Sequence, residues 1–136
     1  MTDRPLSDRD YQTLAQFRHA LRVFLRFSED AARNEGLTPS QHELLLAIRG
    51  HSTGSAPSVG DLAEALQLRN HSVLGLVDRA EAAGLICSAT DPDDGRRRIV
   101  SLTMTGEAVL KRLTARHRAE LSGFREEMAE LLHQLD

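Results

Sequence analysis

Between Arg69 and Arg79 the chain gathers Arg69, Asn70, His71, Ser72, Gly75 and Arg79 into one helix-length stretch. A second group, Asp94 followed by Arg96, Arg97 and Arg98, lies just beyond it. Guanidinium groups make paired hydrogen bonds to phosphates and to guanine edges, whereas lysine acts as a point charge. Asn, His and Ser add donors and acceptors, and Gly75 allows a close approach. This is the chemistry of recognition. No nucleophile–base–orienter set, phosphate loop or cofactor fingerprint is present, so no catalytic residue, no cofactor and no enzyme activity are expected. His19, His42, His51, His71, His117 and His133 show no ligand spacing with Cys, Asp or Glu, so no metal site is expected either. The lone Cys87 falls just after Leu85-Ile86 in a strand-like run. We expect it to be half-buried and structural, because a redox sensor needs exposure and a lowered pKa.

The elements that position these residues are legible in the hydrophobic period. Val59, Leu62, Ala63 and Leu66 recur at helical spacing, and Val73, Leu74, Leu76, Val77 and Ala80 do so again after a break at 67–70. Ser58 with Asp61 forms a capping pair, Asn70 is expected to cap the second helix, and Gly84 stops it. Residues 85–89 and 99–103 then read as strands joined by the turn-rich DPDDGRRR. Two short helices with a tight turn, then a hairpin with arginines at its tip, make a winged helix. In a hairpin successive side chains face opposite ways, so Arg96, Arg97 and Arg98 cannot share one task.

The rest of the chain reads as support. Ser7 caps a long helix whose apolar stripe is Leu14, Phe17, Leu21, Phe24, Leu25 and Ser28, and Gly36 ends it. Thr38-Pro39-Ser40-Gln41 is a helix start with its own capping box, and His42, Leu45, Leu46 and Ile48 continue to Gly50. The segment 51–57 is expected to be an exposed loop. Thr103 caps a last helix with Gly106 in its first turn and a seam of Leu110, Leu113, His117, Leu121, Phe124, Met128, Leu131 or Leu132, and Leu135. Ser122-Gly123 either bends it or breaks it.

Length and composition fit one ordinary globular domain of 136 residues, 40% hydrophobic and 27% charged. The longest apolar run, Leu44–Ile48, is far too short to span a membrane. The polar start suggests no secretory signal, and a cytoplasmic protein is the default expectation. A net charge of −3 argues against indiscriminate nucleic-acid binding, but not against charge placed locally. Over 69–98 the five Arg are matched by Asp78, Glu81, Asp91, Asp93 and Asp94. That balance keeps a winged-helix protein-interaction module without DNA binding open as the alternative.

The run D-P-D-D-G-R-R-R-I-V-S-L-T-M-T-G at 91–106 resembles the D-P-x-D-x-R…L-T-x-x-G pattern of the MarR-type transcriptional regulators. The preceding SVGDLAEALQLRNHSVLGLVDRAEAAGLI is similar to that family's helix-turn-helix, and the resemblance covers 37–106. It implies that Asp94 and Arg96 are the wing's acid–base pair and that Arg96 reaches the minor groove. Gly95 stands where Arg is more common, so a phosphate contact is either lost or taken over by Arg97.

The expected architecture is mainly α with a small β-wing, a winged helix-turn-helix in a single domain spanning 1–136. Residues 1–36 and 105–136 would form a dimerisation layer, and 37–104 the DNA-binding lobe. The expected partners are a second copy of the chain and a pseudo-palindromic double-stranded operator, read as by a repressor. The family resemblance further implies a small aromatic or phenolic effector. Phe17, His19, Phe24 and His42 are the candidate effector residues, and Arg18 and Arg22 favour an anion.

Overall fold

The computed structural model describes residues 4–52 and 54–135. Its elements run α1 (Asp8–Asn34), α2 (Pro39–Arg49), α3 (Val59–Leu66), α4 (Asn70–Ala82), β1 (Ile86–Asp91), β2 (Asp94–Leu102) and α5 (Met104–Gln134). The chain divides into two compact units, one of Met1–Ala31 with Thr114–Asp136 and one of Ala32–Leu113. No helix among the described residues is long and apolar enough to cross a membrane.

The first unit is an antiparallel pair, the greater part of α1 against the second half of α5. Ser7 starts α1 as expected, but through a reciprocal box. Its hydroxyl accepts from the Asp10 amide at 3.3 Å, and the Asp10 carboxylate accepts from the Ser7 amide at 2.9 Å. Arg4 adds two hydrogen bonds to Asp10, at 2.8 and 3.1 Å. Arg4 first, then the Ser7 amide, hold that carboxyl below its ordinary value.

The stripe of α1 keeps four of the six expected residues, Phe17, Leu21, Phe24 and Ser28, and loses two. Thr13, Ala20 and Ala31 are buried and Phe17, Phe24, Phe27 and Ser28 half-buried, whereas Leu14 and Leu25 are 48% and 50% exposed. Ala20 on that stripe packs directly on α5, and Leu14 and Leu25 are left on the flank. Phe17 and Phe124 pack on Ala20, Met128 and Leu131. The Phe24 and Phe124 rings lie 4.6 Å apart. His117 is buried, edge-on to Phe24 and Phe27, with Nε2 2.8 Å from Ser28 Oγ. The last helix runs unbroken through Ser122-Gly123, with Leu131 buried and Leu121 and Leu132 exposed.

In the second unit Thr38 Oγ1 accepts from the Gln41 amide and Gln41 Oε1 from the Thr38 amide, at 3.1 and 3.0 Å. This is the expected capping box. His42, Leu44, Leu45 and Ile48 are buried, and Leu46 turns out to be half exposed, because Leu44 takes the inward position. The second helix packs on α3, α4 and β2. Val73, Val77, Leu85, Ile86 and Val100 complete the core beneath the hairpin.

Of the expected loop 51–57, Thr53 lies outside the described residues. Its end is not exposed: Pro57 is buried and its carbonyl accepts from the Val100 amide at 2.9 Å. Ser58 bridges Ile99, so β2 is flanked on both edges.

Candidate nucleic-acid interface

The turn between α3 and α4 is set by backbone geometry. Ser58 and Asp61 cap α3 reciprocally, at 2.9 and 3.1 Å. Gln67 ends it in the left-handed region at φ 54°, the only non-glycine with positive φ among the described residues. That conformation costs an ordinary residue about 1 kcal/mol. The Gln67 amide side chain offsets part of this by donating to the Glu64 carbonyl at 2.8 Å.

The following helix begins one residue earlier than expected. Arg69, not Asn70, is the N-cap, because its carbonyl already accepts from the Ser72 and Val73 amides. No side chain caps this end. Its first-turn N–H groups and positive dipole end therefore suit an anion. Arg69, Asn70 and His71 are exposed, and Ser72 and Gly75 are half-buried. Arg79 folds back over Gly75, where a Cβ would lie 3.2 Å from its Nη1.

The wing is longer and its turn tighter than the sequence suggests. The two strands extend into DPDDGRRR and leave only Pro92-Asp93 as the turn. The Asp93 amide donates to Asp91 Oδ1 at 2.9 Å, and the Arg96 amide to Asp94 Oδ1 at 3.0 Å. These side-chain acceptors shape a turn that the flanking strands alone would leave open. Cys87, expected half-buried, is exposed. Its neighbours Ile86 and Ser88 occupy the inward positions of β1, and alternation sends the thiol outward.

The three arginines have three different surroundings. Arg96 is 95% exposed, its Nε 3.6 Å from Asp94. Arg97 lies 3.5 Å from Asp61 and 3.9 Å from Asp91. Arg98 donates through Nε to Ser88 Oγ at 2.9 Å and through Nη2 to Asp78 and Glu81 at 3.1 and 3.3 Å. Glu81 Oε1 in turn accepts from both the hydroxyl and the amide of Ser88, each at 2.8 Å. The hydroxyl, then the amide, then Arg98 hold the Glu81 carboxyl below its ordinary range. The Ser58 amide does the same for Asp61.

Spacing in the sequence does not encode this network. Strand alternation separates Arg97 from its neighbours, but which face fronts α4 is a tertiary fact. The candidate effector residues fall in different places. Half-buried Phe17 and Phe24 and exposed His19 lie along α1 in the first unit, whereas buried His42 belongs to α2 in the second.

A helix-turn-helix followed by a two-stranded wing defines a winged helix-turn-helix, a class of nucleic-acid-binding proteins. A model of the MarR family matches residues 35–97. The transcriptional repressor NicR of Pseudomonas putida is 32% identical over 124 residues, covering 87% of this chain and 77% of that protein. The transcriptional activatory protein BadR of Rhodopseudomonas palustris is 35% identical over 79 residues, 58% of this chain but only 45% of its own length. Among solved structures, the MarR family regulator SP03579 superposes with a TM-score of 0.76 at 28% identity, over 88% of this chain and 77% of that one. Bordetella bronchiseptica BpsR, whose DNA binding is regulated by 6-hydroxynicotinic acid, does so at 0.58 and 25%, over 88% and 82%. The chain belongs to the MarR family, and is a DNA-binding transcription regulator.

Proposed function

We propose that the chain represses transcription in the cytoplasm as a homodimer on a pseudo-palindromic operator, and that a small aromatic anion releases it. The observation that carries the DNA-reading half is the division of labour in β2. Arg97 and Arg98 are engaged by carboxylates of other elements, whereas Arg96 meets Asp94 of its own strand at 3.6 Å and stands 95% exposed at the wing. In this reading Arg69, Asn70, His71, Ser72, Gly75 and Arg79 face the major groove. Arg96, steadied by Asp94, enters the neighbouring minor groove, and Arg97 adds a phosphate contact.

Two such helices read two half-sites only when they stand about one DNA turn, roughly 34 Å, apart. A ligand that prefers another spacing lowers affinity by its differential binding to the two states. The small-molecule control of BpsR and the repressor function of NicR support this reading. Phe17, His19 and Phe24, with Arg18 and Arg22 on the same helix, suit an aromatic carboxylate. His42 is the fourth residue to test by substitution.

Selection of bound fragments from the source genome, followed by titration at rising salt, tests the DNA half. A single recurring two-fold site whose affinity falls steeply with salt is expected. Recovery of no preferred fragment overturns it. Aromatic acids and phenols assayed for operator release then test the effector half separately.

A further inference from the structure

Arg98 bridges three acceptors on two elements. Its Nε reaches Ser88 on β1, and its Nη2 reaches both Asp78 and Glu81 on α4. Glu81 separately takes the amide of Ser88, so the outward N–H of β1 is tied to the same helix. The Arg98 side chain is 32% exposed, against 95% for Arg96 two residues earlier. A phosphate approaching Arg98 would have to displace two carboxylates, and the Arg98–Asp78–Glu81 group carries a net negative charge.

Asp78 falls seven residues after His71, hence on nearly the same face of α4. An unpaired carboxylate there would repel the DNA backbone. We propose that Arg98 is a positioning residue that fastens the wing to the C-terminal half of α4 and pairs Asp78. It thereby sets where Arg96 stands relative to the recognition helix without itself touching DNA. The DNA part of this inference rests on the operator reading above.

An isolated surface ion pair contributes little. Here one planar fork spans two elements, a geometry that a lysine ammonium cannot reproduce. Arg98→Lys therefore separates charge from geometry, and Glu81→Gln removes the shared acceptor while leaving Arg98 in place.

The experiment has two arms. In the first, spin labels at Ala82→Cys and Asp93→Cys in a Cys87→Ser background report the distance from α4 to the wing tip in the free protein; both positions are exposed. A narrow distribution is expected in this background, and one at least twice as wide with Arg98→Lys, Arg98→Ala or Glu81→Gln. An unchanged width in all three overturns the proposal whether or not an operator is found.

In the second arm, hydroxyl-radical footprints on the selected operator should lose protection at the flanks with Arg98→Lys but keep it at the centre of each half-site. Arg96→Ala should also cost at least threefold less affinity in that variant than in the wild type. A uniform loss across the footprint, with the cost of Arg96→Ala intact, makes Arg98 a direct phosphate contact and overturns the proposal. Failure of the wild type to bind any fragment counts against the operator reading, and the first arm still decides the geometry.

Discussion

The hydroxyl of Thr103 accepts the Gly106 amide at 3.1 Å while donating its own proton to the Gly84 carbonyl at 2.6 Å. One side chain thus caps α5 and ties its start to the end of α4. The Thr103 amide adds a bond to the Leu85 carbonyl at 3.1 Å. Gly106 is buried against that same carbonyl, and a methyl at this position would overlap its oxygen. The L-T-x-x-G run is therefore a junction between helices. Gly106→Ala should cost about 2–3 kcal/mol, because backbone rather than a flexible side chain must move. Thr103→Val should cost about 1 kcal/mol or more through the lost cap. Chemical denaturation of both variants checks this.

Arg96→Ala should leave the thermal midpoint unchanged, since the side chain is almost wholly in solvent. It should weaken operator binding by about 1–2 kcal/mol, roughly five- to thirtyfold. Arg97→Ala should cost less affinity, because Arg97 is already shared with Asp61 and Asp91. Titrations at one fixed moderate salt concentration compare them, and the opposite ranking would reassign the minor-groove contact.

Gly75→Ala separates packing from approach. The atoms that a new methyl meets belong to the Arg79 guanidinium, which can swing away. Helix stability should rise by about 0.5–1 kcal/mol. Operator affinity should nevertheless fall if α4 seats closely at this point. A more stable variant with full affinity would remove Gly75 from the interface.

The depressed carboxyls give a pH dependence of defined sign. Asp61 and Glu81 have folded pKa values below their ordinary 3.8 and 4.5. Each adds stability that is present above its unfolded value and is lost as pH falls through the folded value. Unfolding free energy should thus be flat from these groups above about pH 5 and decline below about pH 4. Asp61→Asn, which keeps an acceptor for the Ser58 amide, should flatten that decline. An acid profile identical to wild type would show that the Asp61 proton is not linked to folding.

Leu14 and Leu25 on α1 and Leu121 and Leu132 on α5 are each between 42% and 52% exposed. Covering them in a homodimer would contribute roughly 25 cal/mol per Å² of apolar surface. Sedimentation should show no folded monomer at micromolar concentration. Leu25→Glu should produce one or unfold the chain.

Local chemistry was enough to place most of the fold. Capping boxes at Thr38/Gln41 and Ser58/Asp61, the stop at Gly36 and the cap at Thr103 are encoded within four residues of each other, so they are legible from spacing alone. The helix-turn-helix and the wing motif are local in the same sense. What the sequence left undecided depends on contacts across the chain. It could not say that Leu44 rather than Leu46 turns inward, that Cys87 faces solvent, or that α5 survives Gly123. Nor could it divide the three arginines. Strand alternation distinguishes two faces but does not say which one looks onto α4, and only the packed hairpin brings Arg98 to Asp78 and Glu81 and leaves Arg96 in solvent beside Asp94.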